Sequence, residues 1–142
     1  DILSPKIFKR INELIKSGEI CAITKHARRT CIYEEMLTCM QFRKESYENI
    51  FRLYSLYEKE HFPQHYGLTE NNVIFREHNN KDVIKVMEDW AYMVENYSKR
   101  DQLSLMYVCW KNNFRISPLF DKPLKTHIRD ILIIFDHKAD KK

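Results

Sequence analysis

Hydrophobic positions recur along this chain mostly at helical spacing, interrupted by short unbroken apolar runs. Ile7, Phe8, Ile11, Leu14 and Ile15 share one helical face, with Ser4 as cap, Pro5 in the first helical position and Gly18 as a left-handed stop. Residues 20–23 (ICAI) form a compact apolar run, the pattern of a buried strand. Thr30 is the expected cap of a second helix, with Glu34 and Glu35 in its first turn and Cys31, Tyr33, Met36, Cys39 and Met40 turned inward. Ser46 restarts the pattern, and Ile50, Phe51, Leu53, Tyr54 and Tyr57 give a broad apolar face ending near Glu60.

Residues 61–67 break the periodicity and read as a loop, and 73–75 (VIF) as the next strand. Asn79 or Asn80 opens a long helix through Val83, Val86, Met87, Trp90, Met93, Val94 and Tyr97. Ser98 is expected to cap one more helix over 101–112, with Asp101 as its capping carboxylate, and Ile116 lies in a short extended piece. Residues 126–135 are assigned to helix, although ILIIF (131–135) equally suits a strand. The pattern predicts a helix-dominated α/β fold, about 60% helix with two or three short strands. Two isolated strands do not make a stable sheet, so partner strands are expected outside this chain. No internal repeat marks a solenoid.

Composition sharpens this picture at one point. Two glycines, Gly18 and Gly67, among 142 residues exclude a Walker loop, a GxGxxG turn or a GxSxG elbow. The length implies one domain over 1–142, or a fragment of a larger one, with 136–142 as a frayed tail. A net charge of +4, with acids scattered among the basic residues, tolerates an anionic ligand but lacks the clustering of a nucleic-acid binder. Cys21, Cys31, Cys39 and Cys109 show no CxxC spacing and read as buried reduced thiols, which suits a cytoplasmic protein. No apolar run approaches the length of a membrane span. His61 and His65 have metal-ligand spacing, but Pro63 between them and the missing glutamate argue against a zinc motif, and no metal ligands are assigned.

Three segments carry candidate chemistry. KHARR (25–29) is a basic turn after a buried strand, where open α/β sheets bind ligands. GLTENN (67–72) places Glu70 and Asn71 at the start of a strand, suited to hydroxyl-rich ligands, although capping and turn formation explain them nearly as well. SKRDQ (98–102) offers Arg100 for phosphate or carboxylate, and Gln102 without an evident structural duty.

HARRTCIYEE (26–35), GLTENNVIFREHN (67–79) and SKRDQLSLMYVCWKN (98–112) together resemble a family of glycosyltransferase-like proteins of bacterial polysaccharide loci and plant cell-wall mucilage and turgor. The family pattern reads H-x-x-R-x-C-x-Y-x-E, then G-L-x-E, then S-x-R-D-Q-L-S-x-x-Y-V-x-W-K. The resemblance covers about residues 20–115 and implies a nucleotide-sugar transferase of the GT-A type, with Asp-X-Asp holding Mn2+ or Mg2+ on the diphosphate. No Asp-X-Asp occurs here, so the chain is expected to be the carboxyl-terminal, acceptor-side part, inactive or weak by itself. By similarity, Asp101 and Gln102 are the catalytic candidates. His26, Arg28, Glu70, Asn71 and Arg100 are the candidates for binding the nucleotide sugar and the glycan acceptor. The alternative is a non-catalytic helical binding module, in which the same segments only cap and pack.

Overall fold

The protein is described here by a computed structural model covering residues 2–3, 5–122 and 132–133. Helices α1 (Pro5–Lys16), α2 (Ile32–Gln41), α3 (Tyr47–Lys59), α4 (Lys81–Asn96) and α5 (Leu105–Lys111) make up about half of the described residues. Strands β2 (Cys21–Lys25), β3 (Thr69–Arg76) and β4 (Ser117–Pro118) form one sheet in the order β3-β2-β4. The β2–β3 pair is antiparallel and the β2–β4 pair parallel. The two predicted strands thus pair with each other, and β2 gains a second partner, β4, within the chain.

Strand periodicity distributes the core between the two faces of this sheet. Cys21 and Ile23 point into the main core with α2, α3, α4 and α5, centred on Leu53, Tyr57, Leu103 and Cys109. Ala22 points the other way, against Leu14 of α1, Leu119, Val73 and Phe75. The sheet is therefore a middle layer with one helix behind it and four in front. Arg10 fastens α1 to the β4 edge, donating from Nε to the Leu119 carbonyl at 2.8 Å and from Nη2 to the Pro118 carbonyl at 3.0 Å.

Several local expectations change. The α2 cap position is Cys31, with no side-chain cap bond, while Thr30 Oγ1 lies 3.3 Å from His65 Nδ1. Ser46 and Asn80 cap α3 and α4 as the pattern predicts, each accepting backbone N–H bonds. Ser98 caps nothing. Residues Asp101–Leu103 form a separate 3-10 turn before α5, because Ser98 Oγ is taken up by the Glu45 carboxylate and the Arg100 N–H. Within the predicted closing helix, Leu132–Ile133 instead form β5, antiparallel to β1 (Ile2–Leu3), as the β-branched run favours. The rest of that segment, the Ser4 cap and the 136–142 tail lie outside the described residues.

All four cysteines are buried and unpaired, and burial pushes the Cys21 and Cys109 thiols up to about 11 and about 12. His61 and His65 sit in the 61–67 loop with positive φ of 58° and 56°. No helix among the described residues is long and apolar enough to cross a membrane.

Gly67, at φ 131°, turns the chain from this loop into β3, and a Cβ there would meet Met106 Cε at 3.2 Å. Gly67→Ala is expected to lower unfolding stability by about 1–3 kcal/mol through backbone strain, read from the urea midpoint. An unchanged midpoint would show that the backbone at this position relaxes freely.

Candidate functional site

The site is built at the carboxyl end of β2, where the chain leaves the sheet as residues 26–29. The His26 N–H donates to the Leu68 carbonyl at 2.9 Å, extending the β2–β3 pairing by one step and anchoring the turn. Within the turn, His26 Nδ1 accepts the backbone N–H groups of Arg28 (3.2 Å) and Arg29 (3.1 Å). This bonding assigns the proton of the neutral ring to Nε2, which lies 3.4 Å from Arg29 Nη2. Arg29 Nε in turn donates to Glu35 Oε2 at 2.6 Å, and that carboxylate is only 2% exposed. Cys39 Sγ approaches the other Glu35 oxygen at 3.7 Å.

The second segment enters through a break in register. Ile23 pairs with Ile74 but Thr24 pairs with Glu70, so residues 71–73 are extra on β3 and loop away from the ladder. That excursion turns Asn71 towards the third segment, and its Nδ2 donates to Asp101 Oδ2 at 3.1 Å. The other Asp101 oxygen accepts the Gln102 N–H at 2.9 Å, and the Asp101 carbonyl accepts Trp90 Nε1–H at 3.1 Å. Gln102 Nε2 donates to the Thr69 carbonyl at 2.9 Å, which gives this residue the structural duty that the sequence did not reveal. The 3-10 turn is thereby strapped across the start of β3. Buried Glu70 meets the Ala27 N–H at 3.4 Å, closing the circle back to the first segment.

Five of the seven predicted residues, His26, Arg28, Glu70, Arg100 and Gln102, line one cleft of about 360 Å³. Asn71 and Asp101 do not line it and are hydrogen-bonded to each other. Arg29, Glu35, Phe42 and Lys44 also line the cleft and were not among the candidate site residues, although Arg29 lies in the KHARR segment. Arg29 and Glu35 had a signal: they are the arginine and the last glutamate of the H-x-x-R-x-C-x-Y-x-E pattern, whereas Arg28 is the exposed neighbour. Phe42, 62% exposed with Lys44 Nζ 5.7 Å from its ring centre, had none, because an aromatic at a helix end reads as packing. A second cavity of about 370 Å³, lined also by Tyr66, Gly67, Leu68, Met106 and Ile116, shares His26 and Arg29 with the first. The imidazole and guanidinium thus form a common wall.

The donor set does not suit a divalent cation. Arg28, Arg29, Lys44 and Arg100 outnumber the two lining carboxylates, and Glu35 is already committed to Arg29. Among the described residues no cluster of three or more His, Cys, Asp or Glu side chains could hold a metal ion. The chemistry that fits is hydrogen bonding to hydroxyls and attraction of anions.

Burial and the neighbouring Arg29 charge hold the His26 pKa below its ordinary 6.5, with Glu35 and Glu70 opposing in part. Because the folded state disfavours the imidazolium, its contribution to stability is complete above the unfolded pKa and is lost as pH falls through the folded one. An NMR titration should therefore place the His26 midpoint below 6.5, and stability should decline on acidification from about pH 6.5. A midpoint at or above 6.5 would contradict the geometry of the turn.

A glycosyltransferase-like domain model, described as TOD1/MUCI70, matches residues 7–137. Comparisons with curated proteins and with solved structures give no match. The matched span contains all three segments that meet at the cleft, and the chain belongs to the TOD1/MUCI70 glycosyltransferase-like domain family.

Proposed function

We propose that this chain forms the acceptor-side part of a glycosyltransferase that moves a sugar from a nucleotide-sugar donor to a glycan acceptor. The observation that carries this reading is the pair of cavities sharing the His26–Arg29 wall, since a transferase must hold two substrates side by side. Glu70 accepts the proton of the attacking acceptor hydroxyl as the new glycosidic bond forms. The bond to the diphosphate breaks, and the charge that develops on the departing phosphate is met by Arg28, Arg29 and Arg100. Gln102 and the exposed Phe42 ring face the sugar, one through its amide oxygen and the other through stacking. Asp101 and Asn71 are positioning residues that hold Gln102 and the start of β3 in register. A divalent ion on the diphosphate, which the family resemblance implies for the full-length protein, would have to be held by residues other than those lining this cleft.

A second reading, a helical binding module without catalysis, has one observation in its favour: Asp101 and Gln102 both spend hydrogen bonds inside the fold. The two readings separate in the full-length protein, assayed by sugar transfer from a panel of nucleotide sugars. Glu70→Gln should lower turnover about 100-fold with an unchanged melting temperature. Asp101→Asn should raise KM more than it lowers kcat, as expected of a residue that acts through its neighbours. Wild-type transfer by Glu70→Gln would remove Glu70 from the mechanism and favour the binding module.

A further inference from the structure

We propose that the cleft beyond β2 holds an oxyanion of its substrate directly on its own guanidinium and imidazole donors, with no divalent cation between them. The inference rests on the transfer reading above and deepens it by naming the group that is recognised. The ligand class is a sugar bearing an oxyanion, either the phosphoryl group of a nucleotide sugar or the carboxylate of a hexuronate. Both present clustered acceptor oxygens to the same donors.

Three observations converge on this cleft. His26 Nε2–H and Arg29 Nη2–H are both donors, yet they face each other at 3.4 Å with Nδ1 already occupied by the turn, an arrangement completed by one acceptor between them. The lining carries four cations against two carboxylates, a surplus of two positive charges. Arg100 supplies part of that surplus: its Nε is buried and has no hydrogen-bond partner among the described residues, while its guanidinium lies beside the Cys39 thiol. A bridging water would satisfy the two facing donors but would leave the surplus charge unmatched. An oxyanion meets both demands at once.

Isothermal titration of the full-length protein with inorganic pyrophosphate, sodium galacturonate and neutral glucose, each with EDTA or with Mn2+, tests this directly. At least one of the two anions should bind in EDTA, glucose should not, and affinity should fall with added NaCl; the anion that binds identifies the source of the oxyanion. The double variant Arg28→Ala/Lys44→Ala, at two exposed positions whose loss spares the core, should weaken that binding about tenfold. Binding that requires Mn2+, binding unchanged in the double variant, or no binding of either anion would overturn the inference. Mn2+-dependent binding together with lost transfer in Glu70→Gln would overturn it and leave the transfer reading standing. Binding in EDTA with transfer intact in Glu70→Gln would do the reverse.

Discussion

The site depends on one buried ion pair. A carboxylate that is 2% exposed, such as Glu35, carries a desolvation penalty of several kcal/mol that only a close, well-aligned partner offsets. Arg29 is that partner, at 2.6 Å, and it comes from the turn rather than from α2. The pair therefore clamps residues 26–29 against the first turns of α2. His26 is fixed as a consequence, because its Nδ1 caps the backbone of the same turn. The Glu35 charge also raises the pKa of the Cys39 thiol, although burial contributes more, and the Arg100 guanidinium beside that thiol opposes both.

The three sequence segments meet through backbone bonds as much as through side chains. His26 pairs with Leu68, Gln102 with the Thr69 carbonyl, and Glu70 with the Ala27 N–H. The excursion of residues 71–73 is what allows this, since a regular ladder would keep β3 in register and Asn71 away from Asp101. A cleft framed in this way is hydrogen-bonded together at its base and lined by four cationic side chains. Those are the properties needed to hold a charged substrate in a fixed orientation.

Much of the fold was legible because helical periodicity and capping residues agree, as at Ser46 and Asn80. It failed where tertiary bonds competed for the same groups. Ser98 looks like a cap in sequence, but Glu45, distant in the chain, takes its hydroxyl. Leu132–Ile133 could not be assigned by period, since a short apolar run suits either structure and pairing with Ile2–Leu3 decides it. At the site, His26, Arg28 and Glu70 were singled out at strand ends and Arg100 and Gln102 at a predicted helix start, and the fold brings all five to one cleft. Glu35 was missed because a glutamate in a first helical turn has an ordinary explanation, the helix dipole, and its burial is invisible without the fold.

The most direct measurement is a double-mutant cycle on Arg29→Met and Glu35→Gln, with unfolding free energies taken from urea denaturation at pH 7. If the ion pair organises the turn, Arg29→Met alone costs on the order of 3 kcal/mol because it strands a buried charge. The double variant should then recover most of that loss, giving a coupling of about 2 kcal/mol or more. Additive effects, within about 0.5 kcal/mol, would contradict the central role given to this pair.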